Sequence, residues 1–214
     1  HEESGICIAK ALRENRLSDT VYYGLCFFDG EFHRVLDEAM NVKEALGWSC
    51  TFMKTGLALF LLFLYEGNEL PPSVGQMCSM AEEALSFRAE EYIQGVPELT
   101  VPETGKENNI SFFGQCVSRW KKATEVPEEE KEKLLARVEQ WIEQRTEGIM
   151  HNTRRNYYGE CADFIAALGE VRESRGVKGA KERVLQSYRA RYPRHSAFHQ
   201  ELRARGMQGT GGRW

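Results

Sequence analysis

Apolar residues recur at spacings of three and four along nearly the whole chain, and the strict alternation of half-buried strands is missing, which predicts an all-α protein. A first helix is expected from Glu3 to Asn15, with Ile6, Ile8, Ala9 and Leu12 inward. Ser18 or Asp19 caps a second through Phe28, Asp29-Gly30 breaks it, and Glu31 to Leu46 resumes the pattern with Phe32, Val35, Leu36, Ala39 and Val42 on one face. Gly47 closes that helix and Ser49 caps an apolar one from Cys50 to Glu66, which holds the longest apolar run, Leu57 to Tyr65. The prolines that end a Gly67–Pro72 loop start the next helix, Ser73 to Gln94, whose apolar positions are Val74, Met77, Cys78, Ala81, Leu85 and Tyr92.

Residues 95–109 contain Pro97, Pro102 and Gly105 among few apolar positions, a composition that favours irregular chain and marks a linker. Beyond it, Asn109 caps a short helix carrying Ile110, Phe113, Cys116, Val117 and Trp120. Pro127 followed by Glu128, Glu129 and Glu130 is a helix start, because proline suits the first helical position and carboxylates suit the positive end of the dipole. That helix shows Leu134, Leu135, Val138, Trp141 and Ile142, and a break is expected over 147–152. The answering helix carries Tyr157, Cys161, Phe164, Ile165, Leu168 and Val171 and forms an antiparallel hairpin with it. Gly176 stops this member, Val184, Leu185 and Tyr188 mark a helix ended by Pro193, and Ser196 to Arg205 is a last short one. The organisation that follows is an N-terminal helical block over 1–94, a linker over 95–109, a C-terminal helical block over 110–206 and a disordered tail over 207–214.

Tyr22-Tyr23-Gly24-x-Cys26 and Tyr157-Tyr158-Gly159-x-Cys161 share a wording, and each is followed by Arg-Val-Leu, at Arg34 to Leu36 and at Arg183 to Leu185. One helical unit is thereby read twice. Within the first copy, Gly30-Glu31-Phe32-x-x-Val35-Leu36 resembles the tetratricopeptide repeat, although the small residue expected a turn earlier is displaced to Gly24 and no proline closes the unit. The resemblance implies antiparallel hairpins stacked as a right-handed α-solenoid, in which each hairpin buries its stripe against the next.

Length and composition add limits. The chain has 214 residues, 42% apolar and 28% charged, enough for a full core and one or two domains. No run reaches the ~20 apolar residues of a membrane helix. Six cysteines, at 7, 26, 50, 78, 116 and 161, have no Cys-x-x-Cys or zinc-knuckle spacing and read as buried free thiols of a reducing cytoplasm. The first residue is His1, with no basic start and apolar stretch behind it, which reads as a trimmed chain or a piece of a longer one without a signal peptide. The net charge of −4 hides an asymmetry: residues 151–214 carry 13 Lys and Arg against six Asp and Glu, a surplus of seven, while residues 1–150 carry an acidic surplus of eleven.

Chemistry is sparse in the wording. There is no Gly-x-Ser-x-Gly, no His-Glu-x-x-His and no Gly-x-x-x-x-Gly-Lys-Ser/Thr, so no enzyme is expected, nor any cofactor. Gly176 to Lys181 has the wrong length for a phosphate loop and follows a helix, so Gly176 reads as a helix stop. His195 and His199 lie four apart, but Pro193 and Ser196 put His195 before its helix begins, and both read as packing or solvated histidines rather than metal ligands. Glu128 with Glu132, and Glu139 with Glu143, share helical faces and read as solvated pairs relieved by nearby cations. The densest signal is basic: Arg189, Arg191, Arg194, His195, His199, Arg203 and Arg205, joined by Arg154 and Arg155 and interleaved with Tyr188, Tyr192 and Phe198. Arginine forks with aromatic faces suit a partner or nucleic-acid contact, whereas the same arginines pairing with acidic helices and the same aromatics in the core is the structural alternative.

From Arg154 to Met207, the wording Asn156-Tyr157-Tyr158, Ala162, Ile165-Ala166-Ala167-Leu168-Gly169-Glu170, Glu173-Ser174-Arg175-Gly176, Tyr188 and Arg194-His195-Ser196-Ala197-Phe198 resembles the C-terminal helical region of bacterial SWIM zinc-finger proteins and their uncharacterised relatives. The stretch from Ala45-Leu46-Gly47-Trp48-Ser49 to Leu64 supports it. The resemblance implies a helical-repeat accessory region that makes contacts for a larger protein. The zinc finger itself has no counterpart here, and neither zinc nor DNA binding carries over to any residue. The expectation is a non-enzymatic cytoplasmic scaffold for a protein partner, with nucleic-acid binding through the basic end as the alternative and no membrane or small-molecule substrate.

Overall fold

The computed structural model describes residues 51–93, 117, 121–122 and 125–207. Among these the protein is all helical, with six α-helices: α1 (Thr51–Leu64), α2 (Pro72–Ile93), α3 (Glu128–His151), α4 (Tyr158–Ser174), α5 (Ala180–Arg191) and α6 (Ser196–Ala204), and a single 3-10 turn, Arg155–Tyr157, leading into α4. The three helices expected before residue 47, the first copy of the repeated wording, the linker over 95–109 and residues 208–214 lie outside the described residues.

Helix α4 organises the core. Every residue from Phe164 to Val171 is buried, so the helix is covered on all sides rather than along one stripe, as an element at the centre of a bundle must be. It packs against α1, α2, α3, α5 and α6. A stack in which each hairpin touches only its neighbours is not confirmed by these contacts, because α1 and α2 reach α4 across the intervening sequence. Leu57 to Tyr65 of the first apolar helix and its last turn are buried too, and Phe60 stacks on Trp141 of α3 with ring centroids 6.1 Å apart. One apolar cluster runs from Phe60 and Met77 through Leu134, Ile142 and Phe164 to Phe198 and Leu202, so helices from both sides of residues 95–109 share a single core. Each large side chain in it contributes about 1.5–3 kcal/mol. Met207, where the sequence places the start of the tail, is buried in the same cluster.

Helix boundaries follow the capping chemistry, with one difference. The break expected over 147–152 falls later, because α3 continues through His151. Gly148 weakens a helix by about 1 kcal/mol, but burial of Ile149 and Met150 outweighs that. Three helices then end in the same way. After α3, Arg154 N–H donates to the Ile149 carbonyl and Thr153 N–H to Met150; after α4, Val177 donates to Arg172 and Gly176 to Glu173; after α6, Met207 donates to Leu202 and Gly206 to Arg203. Each is a Schellman ending with a left-handed residue, Gly176 at φ 90°, Gly206 at φ 105° and Thr153 at φ 50°.

Candidate functional site

The polar groups divide between the two ends of the bundle. At one end lie the C-terminus of α4 and the N-termini of α2, α3 and α5. Here Glu170, 4% exposed on the central helix, accepts hydrogen bonds from the backbone N–H groups of Ser73 (3.3 Å) and Val74 (2.8 Å) and from Lys181 Nζ (2.6 Å). Pro72 has no N–H and Gly75 N–H donates to the Pro71 carbonyl, so the first turn of α2 is satisfied, with Glu170 serving as its cap from another helix. Gly169 makes this approach feasible: a Cβ there would overlap the backbone of Lys181.

Next to it, the Arg175 side chain, 5% exposed, binds Glu66 at 2.9 Å and also pairs with Glu128 and Glu132. Lys131 joins Glu66 (3.2 Å) and Glu128 (3.4 Å), and the Glu66 N–H donates to Ser174 Oγ at 3.0 Å. Desolvation disfavours the Glu128 carboxylate, but the Arg175 charge and hydrogen bond outweigh it and hold its pKa below the ordinary value. Glu128 keeps a cation of its own helix, Lys131, as read in sequence, and with Glu132 is also gathered by Arg175 just after α4; Glu139 and Glu143 pair with Arg172 and Arg191.

At mid-height, Arg145, its side chain 4% exposed, donates through Nε to Glu160 at 2.7 Å between α3 and α4. Beside this pair, burial pushes the Cys161 thiol up to about 12, in keeping with an inert interior group. Arg205 forks onto Asp163 at 2.8 and 3.2 Å and also holds Glu201.

The other end contains the C-termini of α3 and α5 and the N-termini of α4 and α6, and it is here that the sequence-predicted basic residues are sorted. The aromatic residues go inward. Tyr158, Tyr188 and Phe198 are buried and Tyr192 is half-buried, with Phe198 edge-on to both Tyr158 (5.7 Å) and Tyr192 (6.0 Å). His195 precedes α6, as expected, and packs edge-on to Tyr158 (6.2 Å) and Tyr192 (5.8 Å), while His199 Nε2 lies 2.9 Å from the Tyr192 carbonyl. The two histidines therefore serve packing, and no group of three metal-binding side chains occurs among the described residues. Arg191 pairs with Glu143 and lies over the Tyr188 ring at 5.2 Å, and Arg189 faces Gln186 at 3.4 Å. Arg203 sits in the last turn of α6, about 12 Å along the helix from His195.

Arg154, Arg155 and Arg194 remain as exposed cations on two loops of this end. The Tyr158–His195 ring contact holds those loops together, since Arg155 opens the turn that leads into Tyr158 and Arg194 directly precedes His195. Sequence reasoning missed Glu170, Arg175 and the Arg145–Glu160 pair. The only signal for Glu170 was a carboxylate inside an otherwise apolar stretch, Ile165 to Val171.

Among the described residues the protein is all helical, its buried ionic groups serve architecture, and Arg154, Arg155 and Arg194 stand exposed at one end. Comparison of the chain with protein-family models, with curated proteins and with solved structures gives no match. No described helix is long and apolar enough to cross a membrane.

Proposed function

We propose that the chain is a non-enzymatic interaction scaffold, an accessory region of a larger protein that binds a protein partner across adjacent helices, with further hairpins extending the described core as a solenoid. The observation that carries this reading is the commitment of its interior ionic groups to structure: Glu170 caps α2, Arg145 neutralises Glu160, and Arg205 neutralises Asp163. The buried thiol of Cys161, with its pKa pushed up, is a poor nucleophile. Surface shape and charge are then what the chain offers, in agreement with the resemblance of residues 154–207 to a helical accessory region. Crosslinking mass spectrometry on the tagged chain in its native cells tests this. A defined partner crosslinked to residues of α3 to α6 is expected; absence of any macromolecular partner, together with specific turnover in a metabolite screen, sinks it.

Nucleic-acid binding is the second reading, and it is favoured by one observation, the exposure of Arg154, Arg155 and Arg194 together at one end. It predicts affinity that falls steeply with salt.

A further inference from the structure

We infer that the end of the bundle carrying Arg155 and Arg194 docks an acidic polypeptide segment of a partner protein. The inference rests on the scaffold reading and gives its partner a chemistry.

Availability comes first. The part of the chain after residue 150 has seven more cations than carboxylates, and several of its arginines are engaged by carboxylates: Arg172 with Glu139, Arg175 with three carboxylates, Arg191 with Glu143 and Arg205 with Asp163 and Glu201. Arg155 and Arg194 are exposed and have no carboxylate partner among the described residues. Their loops are fixed by the core, through Tyr158 and His195, so both guanidinium groups are presented from an ordered base. A guanidinium fork matches a carboxylate in two parallel hydrogen bonds, and a loop held in place loses little entropy when that contact forms.

The same surroundings disfavour a nucleic acid. Binding without sequence preference combines a cationic groove with aromatic faces for base stacking. Here the ring faces are spent on one another: Tyr158, Tyr188 and Phe198 are buried, and Tyr192 is flanked by His195 and Phe198. Duplex DNA presents a charge about every 1.7 Å along its axis and needs a continuous cationic track. This end is interrupted by carboxylates, since Glu147 is exposed near Tyr192 and Glu143 lies beside Arg191. Discrete carboxylates on a polypeptide can meet Arg155 and Arg194 and leave Glu147 to solvent; a phosphate backbone cannot choose its spacing in that way.

Fluorescence anisotropy of the whole chain with two labelled probes tests the inference: a peptide of alternating Glu and Gly, and an oligothymidylate of equal charge. The peptide is expected to bind more tightly than the oligothymidylate. The double variant Arg155→Glu with Arg194→Glu should weaken peptide binding about tenfold or more, whereas Lys133→Glu at the opposite end leaves it unchanged. Unaltered melting confirms that the double variant folds, and the Arg→Gln pair replaces it otherwise. Peptide binding indifferent to these substitutions, binding of neither probe, or tighter binding of the oligothymidylate overturns the inference. Crosslinking in cells separates the two layers. A partner retained by the double variant defeats the acidic-segment inference alone, while no partner for either form defeats the scaffold reading beneath it.

Discussion

The two ends of this bundle use the same residue types in opposite ways. At the end built from the α4 C-terminus, cations and carboxylates are consumed in pairs: Arg175 gathers Glu66, Glu128 and Glu132, and Lys181 meets Glu170. At the end built from the α4 N-terminus, aromatic rings fill the interior and Arg155 and Arg194 stand outside it. Charge count alone does not distinguish an arginine that cements a joint from one that meets a partner. Burial does, and Arg175 and Arg155 are the contrasting cases.

The largest effect should come from removing the buried carboxylate at the paired end. Glu170→Ala leaves the Ser73 and Val74 amides without their acceptor and Lys181 without its counter-charge, in a site only 4% exposed. Breaking a buried pair from one side costs about 3–5 kcal/mol. Thermal or urea unfolding should show that loss, with Lys181→Met costing clearly less because the two amides keep their acceptor. Arg155→Ala at the open end should stay within about 0.5 kcal/mol of the parent. Equal losses at the two ends would erase the distinction between them.

Next in size is the close approach that makes the cap feasible. Gly169→Ala drives a methyl group into the backbone of Lys181 and must push α5 away from α4, at a cost of about 1–3 kcal/mol. Because Lys181 then withdraws from Glu170, combining Gly169→Ala with Lys181→Met should cost less than the sum of the two. Additive losses in a double-mutant cycle would show that the glycine and the ion pair act independently.

How much of this was legible in the sequence depends on the range of the interaction. Helix starts and stops are local, so Pro72, Pro127, Gly176 and Ser196 mark boundaries within a residue or so of where they fall. The apolar stripes of α3 and α5 were legible for the same reason. The central role of α4 was only half visible: Phe164, Ile165, Leu168 and Val171 form one stripe, but Ala166, Ala167 and Gly169 close the other side only because α2 and α5 come to lie there. That arginines could pair with acidic helices was legible, but which of them do was not. Arg189, Arg191 and Arg194 look alike in a basic run, and what separates Arg191 is Glu143, 48 residues earlier and adjacent only in the fold. The position of His195 before α6 was legible because proline and serine fix where that helix begins.

Between the two ends, the buried thiol gives a pH-dependent comparison. The folded Cys161 ionises near 12, raised by burial from an ordinary 9.0. Since the folded pKa lies above the unfolded one, the contribution is fully present below pH 9 and is lost as pH rises toward 12, at about 1.4 kcal/mol per pH unit. Tyr188, whose phenol burial also holds above its ordinary value of 10.0, adds to the loss above pH 10. Between pH 9 and 10, Cys161→Ala should make the decline shallower, the part that persists belonging to Cys78, which burial also holds above 9.0. A decline that keeps its slope in that variant would place its origin elsewhere.

The smallest effect, and the sharpest test of how the open end is held, is at Thr153. Three helices close with the same pair of hydrogen bonds, yet only α3 places a β-branched residue in the left-handed position that Gly176 and Gly206 fill after α4 and α6. An L-residue there costs about 1–2 kcal/mol relative to glycine, and threonine bears this with Arg154 and Arg155 immediately behind it. Thr153→Asn should recover part of that strain, raising stability by about 0.5–1 kcal/mol, and Thr153→Gly should gain less because the unfolded chain becomes more flexible. If the loop that presents Arg155 is pinned mainly by the Tyr158–His195 contact, both substitutions raise the melting temperature and leave acidic-peptide binding unchanged. A stabilised variant that loses peptide binding would instead mean that the strained turn itself aims Arg155, and that the open end owes its geometry to the α3 terminus rather than to the aromatic cluster beneath it.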